Sequence, residues 1–244
     1  MSTTESYPRP LKITIVGAGI GGLTAAAALR IEGHEIFETP SMNKEIGASI
    51  TLADNALRVL NYLGFDIEHL KAGDYLGVAW FDSKGGEDWN LLVTKEEPVR
   101  AFEDFDAQFT ALFALVDGPV HLWQIRSLLP LPTWINGRAA LIGDAAHATF
   151  PTIGQGAAMS IEDGVTIACL LPLGTTREQI PGRLYTYQTL RKERGEFVVR
   201  ESLEQVTIPS KRGLYSRSPE MQVFIVNHDA VRVARENLAV HVTI

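Results

Sequence analysis

Apolar positions along this chain change their period several times, and each change marks an element. Leu11-Lys12-Ile13-Thr14-Ile15-Val16 is β-branched and apolar and ends at a glycine, the pattern of a buried parallel strand. Gly22 to Ile31 is rich in Ala and Leu and predicts a helix stopped by Gly33. His34 to Phe37 predicts a short second strand that ends at Glu38, so residues 11–38 form a βαβ unit.

Further on, Leu57, Val59, Leu60 and Leu63 recur at helical spacing and predict a helix over 54–63, with Gly64 as its stop. Strand-like pieces lie within 73–94, around Gly77 to Phe81. Phe102 to Val116 predicts a helix, His121 to Ile125 a strand, and Pro130, Pro132 and Trp134 a loop. Arg138 to Ile142 predicts a buried strand that runs into Gly143-Asp144. A long helix is expected over 154–171 and an amphipathic one over 183–203. The second carries Arg191, Lys192 and Arg194, read as a solvated basic face. A last helix is expected over 219–238. The alternation of strand and helix gives an α/β class with a Rossmann-type domain.

Composition narrows the function classes. The 244 residues are 45% apolar and can bury a sizeable core. A net charge of −7 argues against nonspecific attraction to nucleic acid or to anionic membrane surfaces. The single cysteine, Cys169, excludes an internal disulfide, and its apolar neighbours predict a buried side chain. The six histidines suggest no metal site. Met1 to Pro10 lacks the apolar stretch of a signal peptide, and no run approaches a membrane span, so the expected setting is cytoplasmic.

Val16-Gly17-Ala18-Gly19-Ile20-Gly21-Gly22 carries the first chemistry. Gly17 allows a tight turn, Gly19 lets backbone approach a pyrophosphate, and Gly22 lets the helix pack on the strand. The helix N-terminus offers free N–H groups and a positive dipole end to phosphate. Glu38 stands where an acid accepts hydrogen bonds from ribose hydroxyls. This pattern predicts a dinucleotide without separating NAD from FAD.

The second motif runs from Gly143-Asp144-Ala145-Ala146-His147 through Pro151 to Gly154-Gln155-Gly156-Ala157, with Glu162-Asp163 following. It resembles the second FAD motif of the flavoprotein aromatic hydroxylases, the para-hydroxybenzoate-hydroxylase-like and fungal salicylate-hydroxylase-like monooxygenases. Residues 43–50 and 55–60 also look like that family. The resemblance implies FAD, NAD(P)H as co-substrate, and O₂-dependent hydroxylation of a phenolic or polyketide-like aromatic, in secondary metabolism or aromatic catabolism. It assigns Gly47, Ala48, Asp144, Pro151, Gly154, Gln155, Gly156 and Ala157 to the cofactor, beside Gly17, Gly19, Gly22 and Glu38. A hydrogen-bonding role is expected for His147, and packing and hydrogen-bonding roles for Glu162 and Asp163. No residue is nominated as catalytic.

The two motifs lie closer in this chain than in that family, since Gly17 and Gly143 are 126 positions apart. Neither an Arg-x-Asp-Leu-His segment nor a Gly-Ala-Asp-Gly segment is present. The expected organisation is an FAD-binding domain from 1–72 and 135–205, a reduced substrate domain over 73–134 and a helical segment over 206–244. Losing a central strand leaves a sheet edge and apolar faces uncovered, which a second copy or a protein partner would cover. Two other readings stay open: a flavin-binding or structural relative without turnover, and an NAD(P) dehydrogenase using the first motif alone.

Overall fold

A computed structural model describes residues 8–38, 52–66, 90–116, 118, 120–123, 125, 127–213 and 218–240. Contacts divide the chain into two units, Met1–Tyr75 with Ser127–Ile244, and Leu76–Arg126.

In the larger unit, β1 (Lys12–Ile15) pairs in parallel with β2 (Glu35–Glu38), Lys12 opposite Glu35 and Ile15 opposite Glu38. The connection is α1 (Ile20–Ile31), which completes the expected βαβ unit. Gly33 turns the chain at φ +90. His34 then ties three segments together. Its Nδ1 accepts from the Leu11 N–H at 3.2 Å, and its Nε2 donates to the Leu171 carbonyl at 2.6 Å. Among the described residues β1 pairs with β2 alone. Val16 is 87% exposed and Phe37 50%, so these two apolar side chains of the pair are open to solvent.

The core is built around α6 (Gly156–Leu170), whose residues from Ala158 to Leu170 are all buried. Helix α1 crosses it in backbone contact. A Cβ on Gly164 would lie 2.7 Å from the Ala25 nitrogen and 3.1 Å from the Gly21 oxygen. Helices α2 (Asp54–Tyr62), α7 (Ile180–Thr207) and α9 (Ala230–Val240) also pack on α6. Ala25, Leu29, Val59, Val165, Leu170 and Ala234 fill the main cluster. Met159, Val198, Met221 and Ile225 form a second. Burying a side chain of the Val, Leu or Ile size contributes about 1.5–3 kcal/mol. Cys169 is buried as expected, and burial pushes its thiol up.

Two elements differ from their sequence reading. Arg138 to Ile142 is not a buried strand. Residues Ile135–Asn136 (β5) and Ala139–Ala140 (β6) close an antiparallel hairpin, and Arg138, Ala139 and Leu141 are exposed. Gly137, at φ +58, supplies the conformation that a two-residue turn demands. Residues 219–238 are not one helix either. A short α8 (Pro219–Met221) runs into a π-helical turn over Gln222–Val226 before α9. Arg58 donates to the Val226 and His228 carbonyls, and the Asp229 carboxylate accepts the Arg232 N–H at 2.9 Å, which starts a new helix.

In the smaller unit, β3 (Asn90–Val93) pairs antiparallel with β4 (Val120–Trp123). A short α3 (Glu96–Ala101) precedes the helix expected over 102–116, which is shortened to α4 (Ala107–Thr110) followed by a 3₁₀ turn over Ala111–Leu115. Asp106 accepts the Gln108 N–H at 2.8 Å and so restarts the helix. The strand expected around Gly77 to Phe81 lies outside the described residues. No helix among those described is long and apolar enough to cross a membrane.

Candidate functional site

The first glycine-rich turn leaves the carboxyl end of β1, and the parallel register brings Glu38 to the same end of the sheet. Gly17 sits at φ +103, a conformation that a side chain resists. A Cβ on Gly22 would fall 2.1 Å from the Gly17 carbonyl oxygen, so only glycine lets α1 start this close to the turn. A Cβ on Gly19, by contrast, would meet nothing within 4 Å. Gly19 caps α1 without a side-chain bond, leaving the first-turn N–H groups free to bind an anion. Glu38 shares its strand face with Ile36, and both are half-buried. Gly47 and Ala48 lie outside the described residues.

The second motif contributes two turns. Gly143, at φ +58, precedes α5 (Asp144–His147) and places Asp144 exposed at the helix start. Pro151 opens a 3₁₀ turn over Pro151–Ile153 and is exposed. Gly154, at φ +62, reverses the chain into α6. Gln155 is buried at the N-cap position, while Gly156 and Ala157 are half-buried in the first turn.

One side chain lies between the two motifs. Ser160 on α6 is 3.3 Å from where a Gly21 Cβ would stand, and its Oγ is 2.9 Å from where a Gly143 Cβ would stand. The α1 N-terminus and the Gly143–Asp144 turn therefore flank the first turns of α6.

A buried ionic network lies beneath the second motif. Asp163 Oδ2 accepts the Gly143 N–H at 2.9 Å and the His147 Nε2–H at 2.6 Å. Its Oδ1 accepts Arg191 Nε at 2.8 Å. Glu162 accepts from Arg191 Nη1, from Arg194 Nη2 at 2.9 Å and from Asn55 Nδ2 at 2.7 Å. The same Asn55 amide donates to Gln155 Oε1 at 3.2 Å. Arg191 also donates to the Met159 carbonyl, and Arg194 to the Phe224 carbonyl. Two carboxylates and two guanidinium groups thus balance in charge.

Burial works to raise both carboxyls, but it is outweighed. Arg191 and Arg194 hold Glu162 below the usual carboxylate range, and His147 and Arg191 do the same for Asp163. Burial lowers the Arg194 guanidinium to about 10, with Glu162 opposing and Arg191 adding, so it stays charged at neutral pH. Burial, followed by Arg194, pushes His228 down to about 4 and leaves it neutral.

These contacts correct one reading and extend another. Arg191 and Arg194 are not a solvated face: they are 1% and 4% exposed, and only Lys192 between them reaches Glu196 near the surface. Glu162 and Asp163, although adjacent, converge on Arg191. His147 has its expected hydrogen-bonding role and packs on Trp134, with ring centroids 5.3 Å apart. Gly195 is required there, because a Cβ would lie 2.6 Å from the Trp134 ring. The sequence reading missed the role of Asn55 and the burial of both arginines. The signal was present: two carboxylates inside an otherwise apolar helix must find cations. Among the described residues no cluster of His, Cys, Asp and Glu could hold a metal ion.

Residues 119–202 match the FAD binding domain family. The chain is 43% identical over 151 residues to hispidin-3-hydroxylase of Neonothopanus nambi, covering 62% of this chain and 35% of that protein. It is 37% identical over 123 residues to 6-hydroxynicotinate 3-monooxygenase of Pseudomonas fluorescens, covering 48% and 31%. The chain spans about a third of the length of these curated relatives. Among solved structures, a salicylate hydroxylase substrate complex superposes with a TM-score of 0.69 at 17% identity, covering 94% of this chain and 98% of that one. CtdE in complex with FAD and a substrate gives 0.72 at 16%, covering 96% and 100%. The fold is that of the Rossmann-type FAD-dependent hydroxylases, and the resemblance carried by the second motif is borne out.

Proposed function

We propose that this relative of the FAD-dependent aromatic hydroxylases is itself an FAD-dependent monooxygenase. It would use NAD(P)H and O₂ to hydroxylate a phenolic or polyketide-like aromatic, in secondary metabolism or aromatic catabolism. One observation carries the reading: the two glycine-rich motifs, far apart in sequence, flank the same side chain, Ser160. The names of the relatives, a hispidin 3-hydroxylase and a 6-hydroxynicotinate 3-monooxygenase, support the substrate class.

On this reading Gly17, Gly19 and Gly22 and the first-turn N–H groups of α1 hold the pyrophosphate, and Glu38 the ribose. Asp144 holds the ribityl chain, Pro151 shapes the loop facing the ring, and Gly47 and Ala48 belong to the set of cofactor-binding residues. Gly154, Gln155, Gly156 and Ala157 present the N-terminus of α6 to the pyrimidine end. A helix N-terminus stabilises negative charge there by about 0.3–2 kcal/mol. When bound, the flavin would accept a hydride from NAD(P)H and activate O₂. The chain's own part is to orient the cofactor and exclude water.

The proposed cofactor domain is formed by 1–72 and 135–205, with 73–134 a reduced substrate domain and 206–244 a helical extension. A second copy or a protein partner would cover Val16 and Phe37. The setting consistent with NAD(P)H supply is the cytoplasm.

Absorbance of the purified protein is the test. Flavin bands that remain after gel filtration are expected, with NAD(P)H oxidation stimulated by a hydroxylated aromatic and yielding hydroxylated product. A colourless protein that cannot be loaded with FAD would overturn the reading. NAD(P)H oxidation without hydroxylated product would leave the cofactor assignment and remove the hydroxylase one.

A further inference from the structure

The second motif has two arms on either side of the Pro151 turn, and each hangs from a different carboxylate. The Gly143–His147 arm is held by Asp163, which accepts both the Gly143 N–H and the His147 Nε2–H. The Gln155 arm is held by Glu162 through the Asn55 amide, which bonds both. Asp163 and Glu162 are neighbours on α6, and adjacent residues of a helix diverge. Arg191, from α7, joins them: Nε takes Asp163 and Nη1 takes Glu162. Its Nη2 bonds the Met159 carbonyl on the same helix. The planar fork fixes the angle between these bonds, which a lysine cannot do.

We infer that Arg191 is a positioning residue that sets the spacing between the two arms of the flavin motif. The inference rests on the cofactor reading given above. Arg191 is 1% exposed, and its side-chain bonds go to Asp163, Glu162 and Met159 of α6 rather than to either arm, so it reaches the arms through the two carboxylates. A merely cohesive role would loosen α7 and α6 together. A positioning role loosens both arms and spares the first motif, which none of the Arg191 hydrogen bonds reaches.

Arg191→Lys keeps the charge and loses the fork, and Leu184→Ala removes a buried side chain of α7 outside the network. In the FAD-free proteins, hydrogen exchange is followed in peptides spanning 141–149, 153–158 and 20–31. Arg191→Lys is expected to speed exchange about tenfold or more in the first two peptides and to leave the third near wild type. Leu184→Ala is expected to spare both arms. Titration of free FAD, read by quenching of its fluorescence, should then show affinity lower by about tenfold or more in Arg191→Lys and within about threefold of wild type in Leu184→Ala.

Unchanged exchange in both arms of Arg191→Lys, or equal loosening in Leu184→Ala, overturns the inference. If the wild-type chain takes up no FAD, the cofactor reading falls and the exchange data alone decide whether the brace exists. If Arg191→Lys does not fold, Asp163→Asn carries the same measurements. Its loosening is expected in 141–149 and not in 153–158, because the Gln155 arm hangs from Glu162; loosening of neither, or of both equally, overturns the two-arm arrangement.

Discussion

The turn after β1 and the turn before α5 both need glycine at positive φ, but different forces hold them. The first is fixed by what is missing: without a Cβ on Gly22, α1 sits in close backbone contact with the Gly17 carbonyl, with the Ile15 side chain packed beside it. The second is fixed by charge, since the Gly143 N–H is anchored to a carboxylate that two further groups share. A turn held by close backbone approach is insensitive to pH and tolerates no added atom. A turn held by buried ions tolerates changes of shape and depends on every partner's charge.

The sharpest way to break this contrast is Arg191→Met. It leaves Glu162 and Asp163 short of a cation, and the expected loss is about 3–5 kcal/mol in urea unfolding. A loss below 1 kcal/mol, on the order of a surface change, would mean that the ions do not hold the second side. Gly22→Ala attacks the other turn. The added methyl meets backbone that must shift, and about 1–3 kcal/mol is expected, with FAD uptake reduced as well. An alanine variant as stable as wild type would show that the first turn has slack.

Acid then separates the two sides. His228 has a folded value of about 4 against an ordinary 6.5, so the unfolded chain binds the extra proton between those values. Its contribution is complete above about 6.5 and is lost as pH falls towards 4. With partial exposure allowed for, stability should drop by about 1 kcal/mol from pH 7 to pH 5. The groups facing His228 are Arg194, Glu162, Arg191 and Asp229. The drop should flatten in His228→Asn, and an unchanged slope would assign it elsewhere. The lowered Glu162 and Asp163 add a second loss below the ordinary carboxylate range. Smallest of all is Lys192→Ala, one residue from Arg191. Its i,i+4 pair with Glu196 is partly exposed, and the change in the urea midpoint should correspond to less than about 0.5 kcal/mol.

The same contrast explains how much could be read from the sequence. The first turn was legible because its physics is local: strand, glycines, helix and Glu38 follow one another within 28 residues. The glycines of the second motif were legible for the same reason. Their support was not, because it is assembled from α2, α6 and α7. Arg191, Lys192 and Arg194 form a basic run that looks solvated until Glu162 and Asp163 are seen to face it. The Arg138–Ile142 reading failed at Gly137, where two residues of turn chemistry outweighed an apolar run. The helix expected over 219–238 failed at Asp229, a cap visible in the sequence but overridden by the periodicity around it.

Helix α6 has a consequence for how the chain is made. Glu162 and Asp163 emerge from the ribosome well before Arg191 and Arg194, which lie about thirty residues further on. Burying two carboxylates without their cations costs several kcal/mol each. The side of α6 that faces α7 therefore stays in water during synthesis until the arginines arrive, while α1 can already pack on α6 through Gly164 and Ala25. A nascent chain stalled near residue 175 should leave the 141–149 amides unprotected against exchange, and one stalled after α7 should protect them. The turn before α5 would be among the last parts of the molecule to set.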